Sequence, residues 1–310
     1  MALSKAPAVT HVRVDDGSAG QRIDNFLVRV CKGVPKSHIY RILRSGEVRV
    51  NSKRVAQTYR LQEGDELRIP PIRLAEKPDA PPVPVGKPFD IVFEDDALLV
   101  LDKPAGLAVH GGSGVSFGVI EQLRRQRPEA KFLELVHRLD RETSGLLMVA
   151  KKRSALTVLH DMMREGRVHK RYLTLVAGRW LNLQQHIKLA LHKYLTEDGE
   201  RRVSVSRDGK PAHSIVRLVR RWQTCSLVEV ELKTGRTHQI RVHLSHSGFP
   251  LFGDDKYGDF ALNKQLEKAG LKRMFLHAAK LGFRHPLTGR EIELESPLPA
   301  ELEAFVASVE

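Results

Sequence analysis

The sequence predicts an α+β protein in two parts: a small basic module of two helices and a few strands, then a larger mixed domain with a largely antiparallel sheet. Three observations carry this. Apolar residues recur at helical spacing in two short stretches near the N-terminus, and seven of the 16 prolines fall between residues 70 and 88. Beyond them, short strand patterns follow one another through hairpin-type turns without a strict βαβ rhythm. A proline run of that density builds neither helix nor central sheet and reads as an extended spacer. The expected division is a tail over 1–19, a module over 20–69, a linker over 70–88 and a second domain over 89–310.

In the first part, Ile23, Phe26, Leu27 and Val30 stand at i, i+3, i+4 and i+7, the stripe of one helix, which Gly33 can end. Pro35 and Ser37 open a second helix with Ile39, Ile42 and Leu43 inward, and Gly46 stops it. Residues 47–51 alternate as a half-buried strand, 51–54 make a turn, and Gly64-Asp65 leads into a strand over 66–69. In the second part, strands are expected over 90–93, 97–101, 145–151, 168–176, around 228–232, over 274–283 and over 291–295. Helices are expected over 115–125, through Leu156, Leu159 and Met163 to Gly166, from a Thr237 cap to Ser247, and over 300–306. Along 168–176, Leu173 and Leu175 share one face, and Lys170, Tyr172 and Thr174 share the other.

The 310 residues carry 51 Lys+Arg against 37 Asp+Glu, a formal net charge of +14, and the sequence pI is ≈ 9.9. Such an excess points to a polyanion, nucleic acid before an anionic membrane surface. Half of it lies in residues 1–89. Between Arg22 and Arg60 there are ten basic residues, among them Lys36, Arg41, Arg44, Arg49, Lys53 and Arg54, and only two acidic ones, Asp24 and Glu47. A local density of that kind is the pattern of phosphate contact. The longest apolar runs, 97–101 and 146–150, are far short of the ~18 residues of a membrane span. The first ten residues have no apolar core of a signal peptide. Two distant cysteines, Cys31 and Cys225, make neither a disulfide framework nor a thiolate cage, and the expected setting is the reducing cytoplasm.

Nucleotide motifs are missing. There is no P-loop, and the run 112–118 has Phe117 where a dinucleotide fingerprint needs its third glycine. His238, His243 and His246 cluster without a neighbouring carboxylate or Cys, so they read as hydrogen-bonding or RNA-facing groups and no metal is expected. The most specific segment is Val136-His137-Arg138-Leu139-Asp140-Arg141-Glu142-Thr143-Ser144-Gly145, followed at once by an apolar strand. Arg138 and Arg141 flank Asp140 and favour its charged form. From the residues alone, Asp140 is either half of a structural ion pair or a poised functional anion.

The run 137–145 resembles the signature of the RluA/RluC/RluD family of pseudouridine synthases. Four further segments agree in order: Asp102-Lys103-Pro104-Ala105-Gly106 with His110-Gly111-Gly112; Lys170-Arg171-Tyr172; Thr234-Gly235-Arg236-Thr237-His238-Gln239-Ile240-Arg241-Val242-His243; and Leu276-His277-Ala278-Ala279 with His285-Pro286. Arg22-Ile23-Asp24, Pro35-Lys36-Ser37, residues 46–51 and Gly64-Asp65 resemble the S-four RNA-binding domain. Residues 20–27, 33–37 and 111–114 are most similar to the RluC-type branch, which acts on uridines of large-subunit (23S) ribosomal RNA.

The resemblance implies a cofactor-free isomerase in which Asp140 reacts, either by covalent attack or by taking the 2′ proton to give a glycal. It implies that Arg236 pairs with Asp140, and that Tyr172 stacks on the uracil and takes part in proton transfer at C5. Arg138 would fill the gap left by the flipped nucleotide, and Leu276 would line the pocket. Arg141, Lys103, His110, Lys170 and His238 are expected to contact RNA, with Lys103 and His110 on a glycine-rich loop. The expected partner is 23S ribosomal RNA or a large-subunit assembly intermediate, bound by a monomer. The alternative is a non-catalytic ribosome-assembly factor, which has no need to keep Asp140, Tyr172 and Arg236 together.

Overall fold

The apolar stripes close a small core. In a computed structural model, which describes residues 8–15, 17–31, 33–72, 86–111 and 117–309, the first unit contains β1 (Thr10–Arg13), α1 (Ile23–Val30), α2 (Lys36–Arg44), β2 (Arg49–Val50) and β3 (Glu66–Ile69). Ile23, Phe26 and Leu27 of α1 and Ile39, Ile42 and Leu43 of α2 pack on Val14, Val48, Val50, Leu61 and Leu67. The strands form a sheet in the order β1-β3-β2, all antiparallel. Asp65 is the polar knot beneath it. One carboxylate oxygen accepts from Asn51 Nδ2 at 2.8 Å, the other from Tyr59 Oη at 3.0 Å and the Gln62 amide at 2.8 Å. Burying a carboxylate is tolerable only with such donors.

Two expectations change here. Residues 10–14 are not a tail: β1 pairs with β3 and Val14 is buried, so the module begins earlier than residue 20. A four-residue edge strand with one apolar side chain is too short for its alternation to stand out. The strand over 47–51 pairs only at Arg49–Val50, because Asn51 and Ser52 both turn with positive φ.

The second unit begins near residue 83. It runs β4 (Asp90–Glu94), β5 (Leu98–Lys103), α3 (Val119–Gln126), β6 (Glu134–Leu135), β7 (Ser144–Ala150), α4 (Arg153–Arg164), β8 (His169–Ala177) and β9 (Gln184–Lys188). There follow β10 (Leu191–Leu195), β11 (Arg201–Val205), β12 (His213–Arg221), β13 (Cys225–Leu232), α5 (Gln239–His246), α6 (Phe260–Lys268), β14 (Leu276–Arg284), β15 (Glu291–Glu295) and α7 (Ala300–Ala307). The main sheet has the order β4-β5-β7-β14-β8-β13-β12-β9, with β15 on β14 and β6 on β7; β10 and β11 form a separate hairpin. Among the described residues β7 and β14 are the only parallel pair.

Both faces of this sheet are covered, which explains the unbroken apolar run in β7. Leu147 and Val149 join one core with Leu99 and Leu101 of β5, and α3 and α5 pack there. Leu146, Met148 and Ala150 join the other, under α4. On β8, Tyr172 and Val176 face the first core and Leu175 faces away, toward α6 and α7. The expected helix start at 115 lies partly outside the described residues, and α3 begins at Val119. Most of the expected linker, 73–85, also lies outside them.

Candidate active site

The connection between β6 and β7 is clamped from several sides. The Thr143 amide donates to Asp140 O at 3.1 Å, closing a turn. Lys103 Nζ holds Arg141 O at 3.0 Å, and Arg273 Nη2 reaches Glu142 O at 3.2 Å and Ser144 Oγ at 2.8 Å. Ser144 Oγ lies 2.9 Å from His277 Nδ1, whose Nε2 is 3.1 Å from Ser296 O. Burial lowers the His277 pKa, so the ring is neutral; Nε2–H donates to the carbonyl and Nδ1 accepts from the serine. Gly145 has φ +107, and a Cβ there would stand 2.4 Å from Ala278 O, so only glycine lets β7 approach β14 this closely.

These restraints set Asp140 on the wall of a cavity of about 270 Å³, where it is the one acidic residue among those lining it. Its side chain is 20% exposed. Arg241 Nη1 stands 3.5 Å from Asp140 Oδ2, and His238 Nε2 stands 3.8 Å away. Arg241 is itself buried and held by a two-point grip: Nε to Asp254 Oδ2 at 2.7 Å and Nη2 to Asp254 Oδ1 at 2.6 Å. Burial opposes its charge, but Asp254 and Asp140 more than offset this and raise its pKa. The N-terminus of α5 that presents Arg241 is locked by Gln239. Its Oε1 accepts from Thr234 Oγ1 at 2.7 Å and the Arg236 amide at 3.0 Å, and its Nε2 donates to His213 O at 3.0 Å.

Tyr172 rises from β8 into the cavity, buried; burial and then the Asp140 charge push its pKa up, so the phenol keeps its proton. Leu276 and Ile240 are apolar walls. Lys170 lies two residues before Tyr172 on the same face, and burial lowers its pKa to about 8. His137 is lowered to about 3 by burial and by the Lys170 charge, and its Nε2 accepts from the Met148 amide at 3.1 Å.

Residues 97–246 match the family model described as RNA pseudouridylate synthase, and residues 21–67 match the S4 domain. The chain is 52% identical over 302 residues to ribosomal large subunit pseudouridine synthase C of Escherichia coli (strain K12), covering 95% of each chain. It is 50% identical over 307 residues to the protein of that name from Pasteurella multocida, covering 97% of this chain and 94% of the other. The chain belongs to the RNA pseudouridine synthases. It is therefore an isomerase, an S4 domain followed by a synthase domain. The synthase is also similar to the solved structure of human RNA pseudouridylate synthase domain containing 1, with TM-score 0.60, 27% identity and 72% of this chain and 89% of that one covered. For human RNA pseudouridylate synthase domain containing 4 the TM-score is 0.58 at 25% identity, over 70% and 92%.

The synthase fold brings Arg138, Asp140, Lys170, Tyr172, Arg236, His238 and Leu276 to one cavity. The expected pairing of Asp140 is corrected. Arg236 is exposed, and its Nε donates to Pro211 O at 3.0 Å; the guanidinium beside Asp140 is that of Arg241. Position 236 precedes α5, whereas 241 is on its inward face. Arg141 turns away from Asp140 to Glu142, at 2.8 Å, and Arg138 is exposed at the cavity mouth, so the neighbouring arginines are not the carboxylate's partners. A turn at 140–143 points successive side chains in different directions.

Lys103 is corrected too. It belongs to β5, is fully buried, and its Nζ donates to Pro104 O (2.7 Å), Leu107 O (2.8 Å) and Arg141 O, so it reaches no RNA. His110 is exposed, with Nδ1 3.0 Å from Gly111 O, and residues 112–116 lie outside the described ones. Thr237 does not cap α5; His238 does so with a left-handed backbone, and the side-chain lock comes from Gln239. Of the histidine cluster, His238 Nδ1 meets Tyr257 Oη at 2.8 Å and His243 is buried between Ser214 Oγ and Leu189 O, both at 3.0 Å. Arg241 escaped sequence reasoning although it carried a signal: a lone arginine between Ile240 and Val242 in an inward-facing helix.

In the S4 unit, Lys36, Arg41, Arg44, Lys53 and Arg54 are exposed, whereas Arg49 is half-buried. Arg22 is turned onto buried Asp24 at 2.7 Å, a fold-holding pair at the start of α1.

Proposed function

We propose that this synthase converts uridines of large-subunit ribosomal RNA to pseudouridine, with Asp140 as the reacting carboxylate and the RNA, free or in an assembling subunit, as its macromolecular partner. The relatives at 50–52% identity are named for the large ribosomal subunit, and they are matched over nearly their whole length. The observation that carries the role of Asp140 is its place as the sole acidic lining residue, beside a buried phenol and a fixed guanidinium. In the reaction, the N1–C1′ bond breaks, the base turns, C5 bonds to C1′, the C5 proton leaves and N1 gains one. Nothing is oxidised or imported, so the balance needs no cofactor.

Asp140 acts at C1′ or on the 2′ proton, and Arg241 keeps the carboxylate aimed and charged. Tyr172 offers its ring to the flipped uracil and, being protonated, serves as a neutral surface and donor rather than as a base. Arg138 at the mouth fills the stack that the target nucleotide vacates. Arg236 and His238 contact the RNA at the cavity rim, and the S4 unit grips backbone through its exposed cations. We place the enzyme in the cytoplasm, working as a monomer. Mapping pseudouridine by carbodiimide adducts and primer extension tests the reading. With Asp140→Asn protein the sites should vanish, the rate falling by at least ~10²-fold as expected for a lost acid–base or nucleophilic group. Sites that persist unchanged would refute it.

A further inference from the structure

One buried cation of the cavity has no neutralising partner among the described residues. Asp140 meets Arg241 and His238, and Arg241 is shared with Asp254 and Asp255. Lys170 is more than nine-tenths buried, lines the same cavity, and has no hydrogen-bond or ion-pair partner among the described residues. Its ammonium lies in under the 234–236 turn, where a Cβ on Gly235 would already touch Nζ at 3.6 Å. Burial of the side chain lowers its pKa to about 8, while Nζ is not among the atoms shut off from solvent and opens on the cavity without a protein acceptor among the described residues. Such a group waits for an anion brought by the substrate.

The RNA brings two kinds: phosphates and, during the reaction, the departing base. The exposed arginines Arg138 and Arg236 stand at the mouth, where the backbone stays. Lys170 stands on the face of β8 that carries Tyr172 and two residues from it, about 6.6 Å along the strand, roughly one base width. We propose that Lys170 is a catalytic residue that stabilises the uracil anion released when the glycosidic bond breaks. This rests on the reading of Asp140 above. As the N1–C1′ bond breaks, its electron pair leaves on the base and spreads from N1 onto O2 and O4. The Lys170 ammonium donates a hydrogen bond to one of these oxygens. At the sugar, either an Asp140 oxygen bonds to C1′ as N1 leaves and is displaced when C5 attacks, or Asp140 takes the 2′ proton to leave a C1′–C2′ double bond and returns it to C2′ when C5 bonds to C1′. When C5 bonds to C1′ the charge on the base is quenched, and Lys170 ends with the protons it began with. A preorganised donor in a water-poor cavity is well suited to this charge.

The test compares two RNAs that differ in how much the departing base needs help. Single-turnover reactions with saturating enzyme use the same ribosomal RNA fragment carrying uridine or 5-fluorouridine, and loss of the N1-linked nucleoside is read in nuclease digests. Fluorine at C5 withdraws electrons and makes the base a better anion. Lys170→Met should slow the uridine RNA by about 10²-fold, the loss typical of one removed oxyanion donor, and slow the 5-fluorouridine RNA by less than about tenfold, with RNA affinity nearly unchanged. Lys170→Gln, which keeps a donor without charge, should fall between and carries the same comparison if the Met variant does not fold. An equal loss on both RNAs would overturn the proposal. So would a loss confined to RNA affinity, the mark of a phosphate contact. Asp140→Asn separates the two readings: if it stays active on both RNAs, the Asp140 assignment fails whatever the Lys170 ratio shows.

Discussion

The cations of the two units are placed in opposite ways. In the S4 unit Lys36, Arg41, Arg44, Lys53 and Arg54 are exposed around a core that does not need them. In the synthase unit Arg241, Lys103 and Lys170 are buried, each in a different state. Arg241 is gripped by two aspartates, Lys103 by three carbonyls, and Lys170 by no acceptor among the described residues. Surface charge is cheap to keep and cheap to lose, and its use is long-range attraction of a polyanion. Buried charge is costly, so its retention marks a geometric or chemical task.

The largest effect should come from breaking the buried side of this contrast. Arg241→Met leaves Asp254 buried without its partner, and denaturant unfolding should show a loss of about 3–5 kcal/mol, together with loss of pseudouridine formation. Exchanging the five exposed S4-unit cations for Gln should do the reverse. RNA affinity should drop, and the salt dependence should flatten by about 0.7 in log–log slope for each phosphate no longer neutralised. Each exchange should alter stability by less than about 0.5 kcal/mol. Unchanged affinity across salt would deny that unit its gripping role.

A smaller effect concerns Lys170 in the free enzyme. Its pKa is about 8 in the folded chain, below the ordinary lysine value of about 10.4. Between those values the unfolded chain binds the extra proton, so stability should rise with pH from about 8 to about 10. Lys103, lowered to about 7 by burial, adds to the same rise, so Lys170→Met should diminish it without abolishing it, as read by unfolding at pH 8 and pH 10. The smallest effect is expected of Thr237→Ala. With the α5 start locked by Gln239, it should change stability by less than about 0.5 kcal/mol rather than the ~1 kcal/mol of a lost cap.

Much of the fold was legible because its signals are local. The stripes of α1 and α2, the apolar run of β7 and the alternation of β8 each report their own burial. The strands β9 to β12 and the helix α6 were not read. β10 is exposed beyond Leu191, β11 is mostly half-buried, and β12 ends on three consecutive exposed positions, Val219, Arg220 and Arg221, so their alternation is faint. α6 buries only Leu266 fully and shows little stripe.

Local patterns along the chain specify the two-part α+β organisation, the basic character of the first part, and the motifs that carry Asp140, Tyr172 and Leu276 to one domain. Which cation serves which carboxylate is settled by long-range packing. Arg138, Arg141, Arg236 and Arg241 are equivalent as letters near an aspartate or in a shared motif. Their partners depend on directions set by turns and by the packing of α5, across 101 residues in the case of Arg241 and Asp140. Lys103 makes the same point: a lysine beside Pro104 looks like a loop contact until β5 draws it inside and three carbonyls close on it. Residue type fixes what a side chain can bond to, and burial fixes whether it must.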